Sequence, residues 1–173
     1  MNRSRQAGGM LATLAPALYA ATLTAAGEVG PLEWRPLPPL PDPIGVAGPF
    51  VGTHRGVIVV AGGANFAAAD AADLWDVAKQ FQAAAFVLAP EPGEAGGYAW
   101  RSGFSLDAPV AYGASASTAA GIVCAGGDDG TQVFAAVFLL TWNPKTSTLA
   151  QRVLPPLPTP STAGGAAVVG RHV

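Results

Sequence analysis

Short apolar runs bounded by glycine, rather than long helical periods, set the pattern of this chain. Val57-Ile58-Val59-Val60 leads into Gly62-Gly63, and Ile122-Val123-Cys124-Ala125 leads into Gly126-Gly127 in the same way. Continuous runs of this length predict strands buried on both faces. Ala85-Phe86-Val87-Leu88 and Val137-Phe138-Leu139-Leu140 predict a further strand after each pair of glycines. Trp142 to Thr146 supplies turn chemistry before another strand, Leu149 to Val153. Leu32 to Arg35 reads as a short strand ahead of them all. One stretch departs from the pattern: across Ala67 to Ala84, Leu74, Val77, Ala78 and Phe81 fall at helical spacing and predict a short amphipathic helix.

The strands recur in register with a repeat. Arg35, Arg101 and Arg152 each stand eight residues before a proline (Pro43, Pro109, Pro160), and Leu40, Leu106 and Leu157 three residues before it. Trp34 and Trp100 precede the first two arginines, and Gln151 precedes the third. The spacings are 66 and 51 residues. Periods near ~50 residues belong to kelch-type propeller blades, small sheets that bury their faces only by stacking on neighbours. The predicted fold is therefore all-β: an incomplete kelch-type propeller of about two and a half four-stranded blades. Blade one covers about 43–106, blade two about 109–157, and a third begins over 158–173, with a strand at Ala166 to Val169. In a closed ring, the strand at Trp34 would complete the last blade. Of the 15 extra residues in the first repeat, 12 follow Gly62-Gly63. Strand parity puts that insert on the same face as the proline-rich links between blades.

Composition narrows the class. Half the residues are hydrophobic, 12% are charged and the net charge is −2, which suits a real core and offers nothing to nucleic acid. Glycine (22) and proline (16) are abundant, as many short strands and turns require. A lone cysteine, Cys124, sits inside an apolar run and reads as a small buried strand residue. Residues 1–28 differ from the rest. Arg3 and Arg5 precede the apolar stretch Met10 to Leu23 and then small residues, the order of a secretory signal peptide with cleavage after Ala26. The alternative is an Ala-rich tail with no export role. No segment reaches the ~20 strongly apolar residues of a membrane span.

Candidate chemistry is sparse. Residues that recur between repeats, Arg35, Arg101 and Arg152 in all three and Trp34, Trp100 and the pairs Gly62-Gly63 and Gly126-Gly127 in two, read as blade structure. A bound ligand is not symmetric, so its contacts should differ between blades. Aligning the glycine pairs sets Ala64-Asn65-Phe66 against Asp128-Asp129-Gly130, and Asn65 and Asp128 become the candidate contacts to a polar ligand. The competing reading is that both make turn hydrogen bonds after glycine. His54 lies in a Thr-His-Arg-Gly turn that predicts solvent exposure, and His172 lies near the end of the chain. Neither belongs to a metal-binding cluster, so no metal or cofactor is implied, and the Tyr, His and Cys set of a copper-radical oxidase is missing.

The phrases WRPLPPLPDPIGVAG, VIVVAGGANF, FVL, APVAYGAS, IVCAGGDD, VFLLTWN and LPPLPTP together resemble the cyclically permuted mutarotases, kelch proteins related to N-acetylneuraminate epimerase. The resemblance spans roughly residues 32 to 173. It implies an exported protein with six blades in its intact form, binding a sialic-acid-like sugar and interconverting its anomers by acid/base ring opening. The catalytic residues of the family lie in later blades, so none is carried onto this sequence. Asp76 to Ala85 is also more apolar here than in the family. The alternative is a non-catalytic kelch module that binds protein or glycan. Two blades and part of a third leave sheet edges unpaired, which invites self-association or completion by further blades.

Overall fold

A computed structural model describes residues 33–66, 77–92 and 97–173. The leader and the first ten residues of the insert, 67–76, lie outside them. The chain divides into two units, Met1–Arg35 and Pro36–Val173. Within the first, the strand expected at Leu32 to Arg35 is not formed over its described residues. Glu33–Arg35 has no regular structure, Trp34 is exposed, and Arg35 pairs only with Glu33 at 3.0 Å.

Over its described residues the second unit is all-β. Its first blade comprises β1 (Phe50–His54), β2 (Val57–Ala61), β5 (Ala84–Pro90) and β6 (Tyr98–Ser105), paired antiparallel in that order. The second comprises β7 (Ala114–Thr118), β8 (Gly121–Ala125), β9 (Val137–Asn143) and β10 (Thr148–Leu154), again in sequence order. A two-stranded ladder, β3 (Ala64–Phe66) with β4 (Lys79–Phe81), stands apart between β2 and β5. These are the four-stranded antiparallel sheets predicted for kelch-type propeller blades.

The helix expected across Ala67 to Ala84 falls partly on residues 67–76, Leu74 among them, which lie outside the described residues, and β4 occupies the described end of the insert. Over its described residues the insert is not helical: Lys79, Gln80 and Phe81 pair with Phe66, Asn65 and Ala64. The helical spacing of Val77, Ala78 and Phe81 loses to a backbone ladder with a strand already fixed by the glycine pair. Ala166 to Val169 also departs from expectation. It carries no strand and is exposed, making only the bridge Val169 to His172, because no strand lies beside it among the described residues.

Facing sides of the two blades form one core. Alternation in β2 and β5 points Val57, Val59, Ala61, Ala85, Val87 and Ala89 to that side. β8 and β9 answer with Ile122, Cys124, Phe138, Leu140 and Trp142. Phe50 meets Phe138 edge to face at 5.2 Å, and Phe104 meets Trp142 at 5.8 Å. Cys124 is fully buried and burial pushes its thiol up to about 12, so it serves packing. Ile58 and Val60, on the other side of β2, are only half-buried, so this run is covered completely on one face rather than on two.

The first strands of the two blades are joined by side chains. Ser115 Oγ accepts from Val51 N at 3.2 Å and donates to Val51 O at 2.8 Å, and Ser117 Oγ accepts from Thr53 N at 2.8 Å. At the end of β1 the histidine departs from its expected exposure. His54 is 5% exposed, because its Nδ1 accepts the backbone N–H of Trp142 in the next blade at 2.9 Å. Arg55 donates to the carbonyl of the same Trp142 at 3.2 Å. Both backbone groups of Trp142 are thus held by the preceding blade's first turn.

Candidate functional site

The glycine pairs fix the face on which the site lies. Gly62 and Gly63 hold φ of 69° and 102°, and Gly126 and Gly127 hold 68° and 98°, where a side chain is strained. A Cβ at Gly62 would overlap Val110 O, and one at Gly126 would overlap Ser161 O. Each pair thereby locks the end of β2 or β8 against the link leading onward. Gly63 donates to Val110 O and Gly127 to Ser161 O, both at 2.8 Å. Trp100 instead serves the outermost strand, donating to Pro38 O at 2.9 Å and meeting Phe86 edge to face. Arg101 and Arg152 are exposed on the outermost strands, so what repeats there is the position in the blade and not a buried contact.

Beyond the glycines, Ala64 bridges Ala47 and Asp128 bridges Ala111, so the two segments are equivalent in space as well as in sequence. The structure does not bring Asn65 and Asp128 to one another. Asn65 is 9% exposed, and its amide is occupied: Nδ2 donates to Gly45 O at 3.1 Å and Oδ1 accepts from Gln82 at 3.0 Å. Asp128 accepts from Gly130 N at 3.1 Å and from the Thr162 hydroxyl at 2.5 Å. Its neighbour Asp129 accepts from the Thr131 hydroxyl and from the backbone of Thr131 and Gln132, bonds that hold its carboxyl down at about 2.

The residue that stands out is Tyr112. Its N–H donates to Gly48 O at 2.7 Å, and Ala163 N donates to its own carbonyl at 2.7 Å. Gly48, Tyr112 and Ala163 are successive members of one hydrogen-bonded series, all left-handed, with φ of 60°, 60° and 55°. A bulky side chain in that conformation is an outlier costing ~1–3 kcal/mol, and such strain gathers at functional positions. The sequence did contain the signal: Tyr112 falls where the other two repeats have Gly and Ala, and it was legible only once the register of the links was known.

Tyr112 and Lys79 form a wall between two hollows of about 530 Å³ each. Lys79 Nζ donates to Tyr112 Oη at 3.2 Å and stands 5.1 Å from the Tyr112 ring centroid and 5.9 Å from that of Phe66. The first hollow is lined by Ile44, Val46, Ala47, Asn65, Phe66, Lys79 and Tyr112 among others, and Lys79 is the one charged residue among its described lining. The second adds Phe81, Asp128, Asp129 and Thr131 and is acidic. β4 makes this division, because pairing with β3 is what sets Lys79 beside Phe66.

Comparison with known proteins bears on what this face belongs to. The chain is 38% identical over 125 residues to N-acetylneuraminate epimerase of Vibrio cholerae serotype O1, covering 65% of this chain and 31% of the relative. Its fold is similar to the solved structure of YjhT, with a TM-score of 0.57 and 22% identity, covering 69% of this chain and 34% of that one. No family model matches. The chain therefore spans about a third of the length of the proteins it matches. Over that portion, the chain is similar in sequence to the epimerase and in fold, that of a kelch-type propeller, to YjhT.

Proposed function

We propose that this chain is part of a sugar mutarotase-like kelch propeller that binds a sialic-acid-like sugar on the face carrying β3, β4 and the inter-blade links, and that the whole protein interconverts the sugar's anomers. The observation that carries the reading is the hollow beside Lys79 and Tyr112. It is apolar at one end, aromatic and cationic at the other, and built where the repeats differ. Ring opening needs one group to take the anomeric hydroxyl proton and another to protonate the ring oxygen. On this face the carboxylates of Asp128 and Asp129 are already engaged in turn and inter-blade hydrogen bonds. That favours binding without turnover by these two blades. The reading includes export, with cleavage after Ala26, which the N-terminal mass of the secreted product checks.

Saturation-transfer NMR on the 173-residue chain with N-acetylneuraminate tests the binding. Transfer to the sugar's ring and acetyl protons is expected, with anomer exchange at the buffer rate. A chain that transfers no saturation to any sugar overturns the reading. Accelerated exchange would overturn the assignment of turnover to other blades.

A further inference from the structure

Resting on that reading, we infer that Lys79, held by Tyr112, is the residue that recognises the sugar's carboxylate, and that it directs acidic sugars into the Ile44–Tyr112 hollow and away from the one beside Asp128. Three observations meet here. Among its described lining, the first hollow carries a single charge, the Lys79 ammonium, while the second shares that ammonium and sets the two carboxylates of Asp128 and Asp129 against it. Asp129 accepts three hydrogen bonds from Thr131 and Gln132, which occupy its carboxylate, and with Asp128 it gives the second hollow one more negative charge than the Lys79 ammonium offsets, so that hollow is the less favourable one for an anion. Among the described residues, no carboxylate lies within ion-pair distance of Lys79. Its ammonium rests instead on two aromatic rings and one phenol, which leaves donors for an incoming anion.

Tyr112 gives this arrangement its cause. A tyrosine in left-handed backbone is costly, and glycine and alanine occupy the equivalent places in the series. The strain sets the ring beside Lys79, where it fixes a long flexible side chain by one hydrogen bond and one face. A pre-positioned ammonium loses less freedom on binding than a freely rotating one. The rest of the hollow fits the same ligand class, since Ile44, Val46 and Ala47 offer apolar surface to an acyl group.

The test compares N-acetylneuraminate with its methyl ester, which keeps the ring and the acetyl group and loses the charge. Kd values are measured by titration of the whole chain and of Lys79→Gln, an exposed position whose substitution removes no buried contact. The expected result is a rise in Kd for the acid of about three- to tenfold, with the ester unchanged. Tyr112→Phe, which keeps the ring and removes the hydroxyl, should raise Kd for the acid by a smaller factor and leave the ester alone. Equal loss for acid and ester, or no loss for either, overturns the role of Lys79 while leaving sugar binding intact. Failure of the unsubstituted chain to bind either form overturns the proposed function itself.

Discussion

At the scale of single residues, His54 is the most informative departure from the sequence pattern. A His-Arg-Gly turn predicts a solvent-facing imidazole, yet this one is buried because it accepts an N–H from a strand 88 residues away. No local pattern encodes such a partner. Burial, with the adjacent Arg55 charge, lowers its pKa below 6.5, and protonation would turn Nδ1 from an acceptor into a donor facing the Trp142 N–H. The folded-state pKa lies below the unfolded one. The stability this histidine contributes is therefore complete above about pH 6.5 and is lost as pH falls through the folded value. The melting temperature should drop between neutral pH and pH 5, and His54→Gln should flatten that drop. The only other histidine, His172, is exposed, so a profile unchanged by the substitution would refute the assignment. The paired glycines, by contrast, were legible from repetition alone, because their φ values and their contacts to the links recur bond for bond. Gly126→Ala places a Cβ on Ser161 O in a left-handed backbone, and a loss of about 2 kcal/mol or more in urea unfolding is expected.

At the scale of elements, the strands of the two complete blades were readable, whereas the described end of the excursion between β2 and β5 was not. Val57–Ala61, Gly121–Ala125 and Val137–Asn143 announce themselves as apolar runs because their surroundings are apolar on at least one whole face. β4 is three residues long, with only Phe81 half-buried, and it owes its existence to a partner strand rather than to its own pattern. Over Lys79–Phe81 that backbone pairing outweighs the helical spacing. The same dependence on a distant partner governs the seam between β1 and β7. β1 lies at the edge of its sheet, and two serine hydroxyls from β7 engage its backbone N–H groups at Val51 and Thr53. Ser117→Ala should cost about 0.5–1.5 kcal/mol and speed amide exchange at Thr53 more than at the centre of β2. Uniform acceleration across the first blade would instead indicate general loosening.

At the scale of the whole molecule, the division of surfaces follows from which faces have found a neighbour. The core lies between the blades, contributed by both, so neither sheet covers its apolar side without the other. The two should therefore melt in one transition, whichever blade carries the probe. The far side of the second blade is different. Val123, Ala125 and Val137 are half-buried there and line an apolar hollow of about 390 Å³ with Leu157 and Ala166. Val169, beyond β10, is 73% exposed. β6 and β10 are also the outermost strands of their sheets, with hydrogen-bonding edges that no described strand covers. Apolar surface beside an open edge favours association with a like surface. The 173-residue chain is accordingly expected to self-associate at micromolar concentration, and light scattering on a size-exclusion column reads this directly. Val123→Lys, which places a charge on that side without touching the inter-blade core, should shift the distribution toward monomer while leaving the melting transition in place. An unsubstituted chain that elutes as a monodisperse monomer at every concentration would show that the apolar side of the second blade is self-sufficient, and that the drive to stack stops at the seam between β1 and β7.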